Sequence, residues 1–127
     1  MPWNDTLKKR KPTGGKKRPY RAHRIFDVGR HPVETIEGEQ KLKKVSGRAG
    51  IEKVKIVRAN IVNVSDPETG KTEKLEILDV ISNPANADYN RRGVITKGTI
   101  VRTEKGLARI ISRPGQSGAL SAVIHKE

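Results

Sequence analysis

Among the branched aliphatic residues of this chain, 23 are Val or Ile and only 6 are Leu. Two heavy atoms on Cβ stiffen χ1 and suit a pleated surface better than a helix, so a core built from Val and Ile directs the chain towards strands. These residues are unevenly placed. Leu, Ile, Val and Phe number 8 in residues 1–50 and 22 in residues 51–127. The first share is typical of segments that close no core, whereas the second suffices for a small one. A length of 127 residues accommodates one domain and not two. The expected organisation is a basic extended arm over residues 1–50 and a barrel-like domain over residues 51–127. The boundary falls in Ser46-Gly47-Arg48-Ala49-Gly50.

Five strands are legible in the second part: Lys53 to Ser65, Glu73 to Ile81, Val94 to Thr103, Leu107 to Ser112 and Ala119 to Ile124. The first has apolar residues on both parities, as expected for a bulged or strongly coiled strand that serves two sides of a core. Asp66-Pro67-Glu68-Thr69-Gly70-Lys71 supplies the turn to the next, with Pro setting φ and Gly taking a left-handed conformation. Residues 82–93 read as a loop. A sixth strand falls near Glu34 to Val45, where apolar residues are sparse. Short strands at regular spacing without a helical period indicate an all-β barrel or sandwich of five to six strands.

The chain carries 27 Lys and Arg against 14 Asp and Glu, a net charge of +13. By segment the net charge is +8 in residues 1–30, +3 in 31–58, −4 in 59–90 and +6 in 91–127. Like charge at that density repels itself unless neutralised, which points to a polyanionic partner. The absence of Cys removes disulfides, thiolate zinc sites and cysteine nucleophiles. No apolar run reaches the roughly 18 residues of a membrane span, and the N-terminus shows no signal-peptide pattern. A soluble cytoplasmic protein is expected.

Within the arm, Lys8, Lys9, Arg10, Lys11, Lys16, Lys17, Arg18, Arg21 and Arg24 are interleaved with Tyr20, His23 and Phe26. Pro12, Pro19, Gly14 and Gly15 oppose a helix, so the segment is expected to run extended along a phosphate backbone. Guanidinium and aromatic planes can also stack on bases. In the second part, Tyr89, Asn90, Arg91 and Arg92 gather at a strand entry. Arg113 and Gln116 sit in a loop stiffened by Pro114 and Gly115, which lowers the entropy lost on contact.

Other chemistry fails on context. Gly47-Arg48-Ala49-Gly50 has the spacing of a KH-domain loop but precedes a strand rather than joining helices. Gly93-Val94-Ile95-Thr96-Lys97-Gly98 lacks the Lys-Ser/Thr pair and helix of a P-loop. His23, His31 and His125 are too dispersed for a metal site. No nucleophile, base and orienter come together, so neither an enzyme nor a cofactor is expected.

Several blocks in order resemble a known family. Arg10-Lys11-Pro12-Thr13-Gly14-Gly15, Asp27-Val28-Gly29-Arg30-His31-Pro32, Ser82-Asn83-Pro84-Ala85-Asn86 with Tyr89 to Arg92, Ile95-Thr96-Lys97-Gly98, and Ser112-Arg113-Pro114-Gly115-Gln116 with Gly118 are similar to those of the archaeal and eukaryotic small-subunit ribosomal protein family S-eight-e. The short length resembles its archaeal members. Gly47-Arg48-Ala49-Gly50-Ile51-Glu52-Lys53 departs from the family's usual Gly-Gly-Asn-x-Lys, so no contact is carried over there.

The resemblance implies a non-catalytic rRNA-binding constituent of the small subunit, monomeric within the ribosome and bordered by neighbouring ribosomal proteins. It implies no membrane or small-molecule partner. The residues it places on rRNA are Lys8 to Lys11, Thr13, Gly14, Gly15, Lys16 to Arg18, Tyr20, Arg21, Arg24, Arg30, Arg91, Arg92, Lys97, Arg113 and Gln116. The same charge also suits a DNA-binding architectural or chromatin protein, and an RNA-processing enzyme relying on Asp79 or Asp88 is a third possibility.

Overall fold

The computed structural model describes residues 10–18, 24 and 29–125. The chain forms two compact units, Met1–Pro32 and Val33–Glu127. Residues 33–50, expected within the arm, belong to the second unit. Their apolar residues are few because they supply the two edge strands of a three-stranded sheet and one buried Thr.

Among the described residues, eight strands, one short α-helix and a 3-10 turn at Arg48–Gly50 make up this second unit. Strands β1 (Ile36–Glu37), β2 (Lys41–Ser46) and β3 (Glu52–Ala59) form a sheet in the order β1-β3-β2. β1 runs parallel and β2 antiparallel to β3. Strands β4 (Ile61–Ser65), β5 (Thr72–Ser82), β6 (Ile100–Thr103), β7 (Gly106–Ile110) and β8 (Ser121–Ile124) close a barrel in chain order, sealed by parallel pairing of β8 with β4. The all-β barrel-like class expected from the sequence is therefore the observed one.

The long Val/Ile run of residues 53–65 divides at Asn60. β3 belongs to the three-stranded sheet and β4 to the barrel, so one run faces the core from two sheets. That change of sheet explains its mixed parity. The Asn60 carbonyl accepts from the Ile77 amide at 2.8 Å, holding the junction against β5. The β4–β5 turn forms as the sequence suggested. The Asp66 carboxylate accepts from the Glu68 amide at 3.0 Å and the Thr69 hydroxyl at 2.8 Å, and Gly70 takes φ +69°.

Two further expectations need correction. Residues 94–103 are not one strand, because β6 starts only at Ile100. The Thr96 amide donates to Thr99 Oγ1 at 2.9 Å and Gly98 adopts φ +93°, which turns the chain before the barrel. Val94 and Ile95 are nevertheless fully buried, so their hydrophobicity reflects burial rather than a ladder. The loop of residues 82–93 contains helix α1 (Ala87–Arg91), started by Asn86, whose side chain accepts from the Asp88 amide at 2.9 Å. Such an N-cap satisfies an otherwise orphaned donor.

The core gathers Ile56 and Ala59 of β3 with Val62, Val64, Leu75, Ile77, Ile95, Val101, Ala108, Ile110, Leu120 and Ala122. Compact β-branched and Ala side chains fit a barrel interior of five strands, where space between facing strands is narrow.

Candidate nucleic-acid interface

In the N-terminal unit, residues 10–16 fold back rather than run extended. Arg10 bridges Lys16 in antiparallel fashion, and the Gly14 amide donates to the Lys11 carbonyl at 2.9 Å. Arg10 Nη1 donates to the Gly14 carbonyl at 3.0 Å. Pro12 suits the second position of this turn, and Gly14 permits its φ of +84°. Arg10, Lys11 and Lys16 to Arg18 are exposed around the turn, as are Thr13, Gly14, Gly15, Arg24 and Arg30. Lys8, Lys9, Tyr20 and Arg21 lie outside the described residues.

In the barrel unit, the cationic loops are seated by buried polar side chains. Asn83 is the centre of one seat. Its Nδ2 donates to the Val94 carbonyl at 2.6 Å, while its Oδ1 accepts from the Ala85 amide at 3.0 Å and the Thr96 hydroxyl at 3.1 Å. The Asn83 amide donates to Asn90 Oδ1 at 2.8 Å. One buried amide therefore fixes the segment bearing Tyr89, Arg91 and Arg92 beside the turn bearing Lys97. A buried polar group with its partners satisfied specifies a single local conformation, whereas an unsatisfied one would be costly.

Thr35 connects this seat to the other loop. It is fully buried, its hydroxyl donates to the Ile56 carbonyl at 2.7 Å, and its carbonyl accepts from the Ile95 amide at 2.7 Å. The Ile56 amide in turn donates to the Pro114 carbonyl at 2.9 Å. Residues 95, 35, 56 and 114 are thus joined by successive hydrogen bonds, with the Thr35 hydroxyl making the step from 35 to 56. This series couples the Arg91–Lys97 segment to the Arg113–Gln116 loop. Gln116 is itself engaged, its Oε1 accepting from Lys53 Nζ at 3.0 Å.

The two neighbouring arginines differ in their surroundings. The Arg91 side chain is 79% exposed and pairs with Asp88 at 2.9 Å. Arg92 donates to both Glu34 carboxylate oxygens, at 2.5 and 3.1 Å, and pairs with Asp88 at 2.9 Å. Its guanidinium also lies 5.5 Å from the centroid of the Tyr89 ring. The hydrogen bond from Arg92, with its charge, holds the Glu34 carboxyl below the ordinary range. Hydrogen bonding from Arg91, reinforced by Arg92, lowers Asp88 likewise. The Glu34 hydrogen bond raises Arg92 beyond an already very basic value. Arg92 is therefore a clamp between the β1 approach and α1.

Lys97 and Arg109 border an open groove of about 620 Å³ whose lining includes Ile111, Val123, Ile124 and His125. Among the described residues, no group of three or more His, Asp or Glu could hold a metal ion, and no helix is long and apolar enough to cross a membrane. The sequence reading missed Thr35, Asn83 and Glu34. Asn83-Pro84 carried a turn signal, but nothing local announced the partners of Thr35 or Glu34.

The family described as Ribosomal protein S8e matches residues 4–125. The small ribosomal subunit protein eS8 of Methanocella arvoryzae is 47% identical over 115 residues, covering 91% of this chain and 92% of that relative. Its counterpart in Sulfurisphaera tokodaii is 44% identical over 119 residues, 93% of each chain. That in Staphylothermus marinus is 46% identical over 127 residues, 98% of each. With a match that spans nearly all of its length, this chain belongs to the ribosomal protein S8e family.

Proposed function

We propose that this protein is a non-catalytic constituent of the cytoplasmic small ribosomal subunit that binds and braces rRNA. In this role it neutralises backbone phosphates with its N-terminal basic unit and with two cationic loops of its barrel. The supporting observation is the seating of those loops. The Thr35–Ile56 line and the Asn83 cluster hold cation-bearing segments in fixed positions on a chain whose relatives are small-subunit ribosomal proteins. Pre-positioned contacts lose less entropy on binding than mobile ones.

Arg10, Lys11, Lys16, Lys17 and Arg18 meet phosphates around the residue 10–16 turn, where Gly14 and Gly15 let the backbone approach closely. Thr13 adds a hydroxyl. Lys8, Lys9, Tyr20, Arg21, Arg24 and Arg30 extend that contact along the arm. In the barrel, Arg91, Lys97, Arg113 and Gln116 face the RNA. Arg92 acts as a positioning residue, because its guanidinium already satisfies two carboxylates. Neighbouring ribosomal proteins and rRNA are the partners, and the chain enters the subunit as a single copy.

The test is a salt titration of the full chain binding an archaeal small-subunit rRNA transcript in the presence of excess duplex DNA. Contact with about six to ten phosphates lowers affinity roughly 10³- to 10⁵-fold between 50 and 200 mM salt. A flat salt dependence, or equal competition by DNA, would overturn the reading.

A further inference from the structure

The two strands of the β2–β3 hairpin contain six cationic residues and one carboxylate: Lys41, Lys43 and Lys44 on β2, and Lys53, Lys55, Arg58 and Glu52 on β3. Its register places Lys43 opposite Lys55 and Lys41 opposite Arg58. Side chains directly opposite one another share a face at about 4.5–5.5 Å between Cβ atoms, and like charges in that position are destabilising. Leu42 and Lys44 lie opposite Ile56 and Val54 on the face that buries Ile56. By alternation, Lys43 and Val45 share the other face with Lys53 and Lys55. Among the described residues, no carboxylate forms an ion pair with Lys43 or Lys55.

Lys is common on edge strands, where it discourages pairing with other chains, and β2 is an edge strand. That role requires charge on the edge alone. Here the opposing cations stand on β3, the central strand, where a carboxylate at position 55 would have relieved the hairpin. Lys53 on the same face reaches Gln116 Oε1 at 3.0 Å, so the surface continues into the Arg113–Gln116 loop.

We propose that this face of the β2–β3 hairpin, centred on the opposed Lys43 and Lys55, is an additional docking surface for the phosphate backbone of structured RNA. Bound phosphate neutralises a cation pair that no carboxylate among the described residues compensates. The inference rests on the rRNA reading above and extends it to residues outside the arm and the barrel loops.

The experiment compares the full-length protein with the double variant Lys43→Gln/Lys55→Gln, using the same rRNA transcript and thermal melts without RNA. Loss of two phosphate contacts makes the slope of log affinity against log salt shallower by about 1.4 to 1.8. The melting midpoint is expected to hold or rise, because a repulsive pair has been removed. Lys43→Arg/Lys55→Arg, which keeps both charges, retains the original slope. An unchanged slope in the Gln variant beside a steep wild-type slope overturns this surface and leaves the rRNA reading standing. A lower midpoint with an unchanged slope, or loss of slope in the Arg variant, assigns the lysines to structure and also overturns it. A flat wild-type dependence removes both.

Discussion

Arg92 shows how a residue's role depends on partners that chain order hides. Beside Tyr89 and Arg91 it reads as one of two RNA-facing guanidiniums, yet its carboxylate partner Glu34 lies 58 positions away. Its planar fork suits bidentate carboxylate binding, which Lys at that position would not reproduce. Glu34 and Asp88 titrate below the ordinary carboxylate range when folded. Their contribution to stability is therefore complete above that range and disappears as pH falls through the lowered values. Both groups are exposed, so the effect is modest and screened by salt. Glu34→Gln should lower the melting midpoint slightly at neutral pH and flatten part of its decline in acid. Melts between pH 2 and pH 7 check this, with an unaltered acid limb as the contrary result. Arg91, with one partner and most of its side chain in solvent, stays more accessible than Arg92.

Among the elements, hydrophobic patterning identified the strands of the barrel closely, because each is short and buries alternate residues. The register of β4 with β5 runs from Ile61 opposite Glu76 to Ser65 opposite Thr72, ending at the Asp66 turn that the sequence marked. Patterning was less informative where burial occurs without a ladder, as at Val94 and Ile95, and where one run crosses between sheets, as at Asn60. It also offered one sparse strand near Glu34 to Val45, where the chain forms the short β1 and the Lys-rich β2. The loop of residues 113–118 is held on β3 by close packing as well as by the Pro114 hydrogen bond. A Cβ on Gly118 would lie 3.0 Å from Val54 Cγ1 and 3.2 Å from its Cβ. The β-branched side chain has little rotamer freedom with which to yield. Gly118→Ala should destabilise the protein by about 1–3 kcal/mol, measurable by denaturant unfolding. An unchanged midpoint would show that the loop shifts freely and is not a fixed platform.

At the scale of the whole molecule, every described residue of the apolar core lies within the second unit, between Ile56 and Ala122. A chain beginning at Val33 should therefore retain a cooperative melt close to that of the full protein while its rRNA salt slope falls, since it lacks ten cations of the arm. A chain beginning at Ile51 loses Thr35, β1 and β2, leaving the Ile56 carbonyl without its hydroxyl donor and β3 without either neighbour. Its melt should be lower or absent. Circular dichroism of the two truncations locates the functional boundary, and equal stability of both would restore the boundary at residues 46–50.

The sequence by itself determined the all-β class, the basic N-terminal segment, the main turns and the family blocks. All of these arise from local chemistry: β-branched stiffness, Pro and Gly backbone preferences, and charge carried by individual residues. Tertiary structure alone decided that residues 33–50 join the compact unit, that Arg92 clamps Glu34 and Asp88, and that Lys43 faces Lys55. Each depends on which distant segments become neighbours, and strand register and buried hydrogen bonds exist only after the chain has closed on itself.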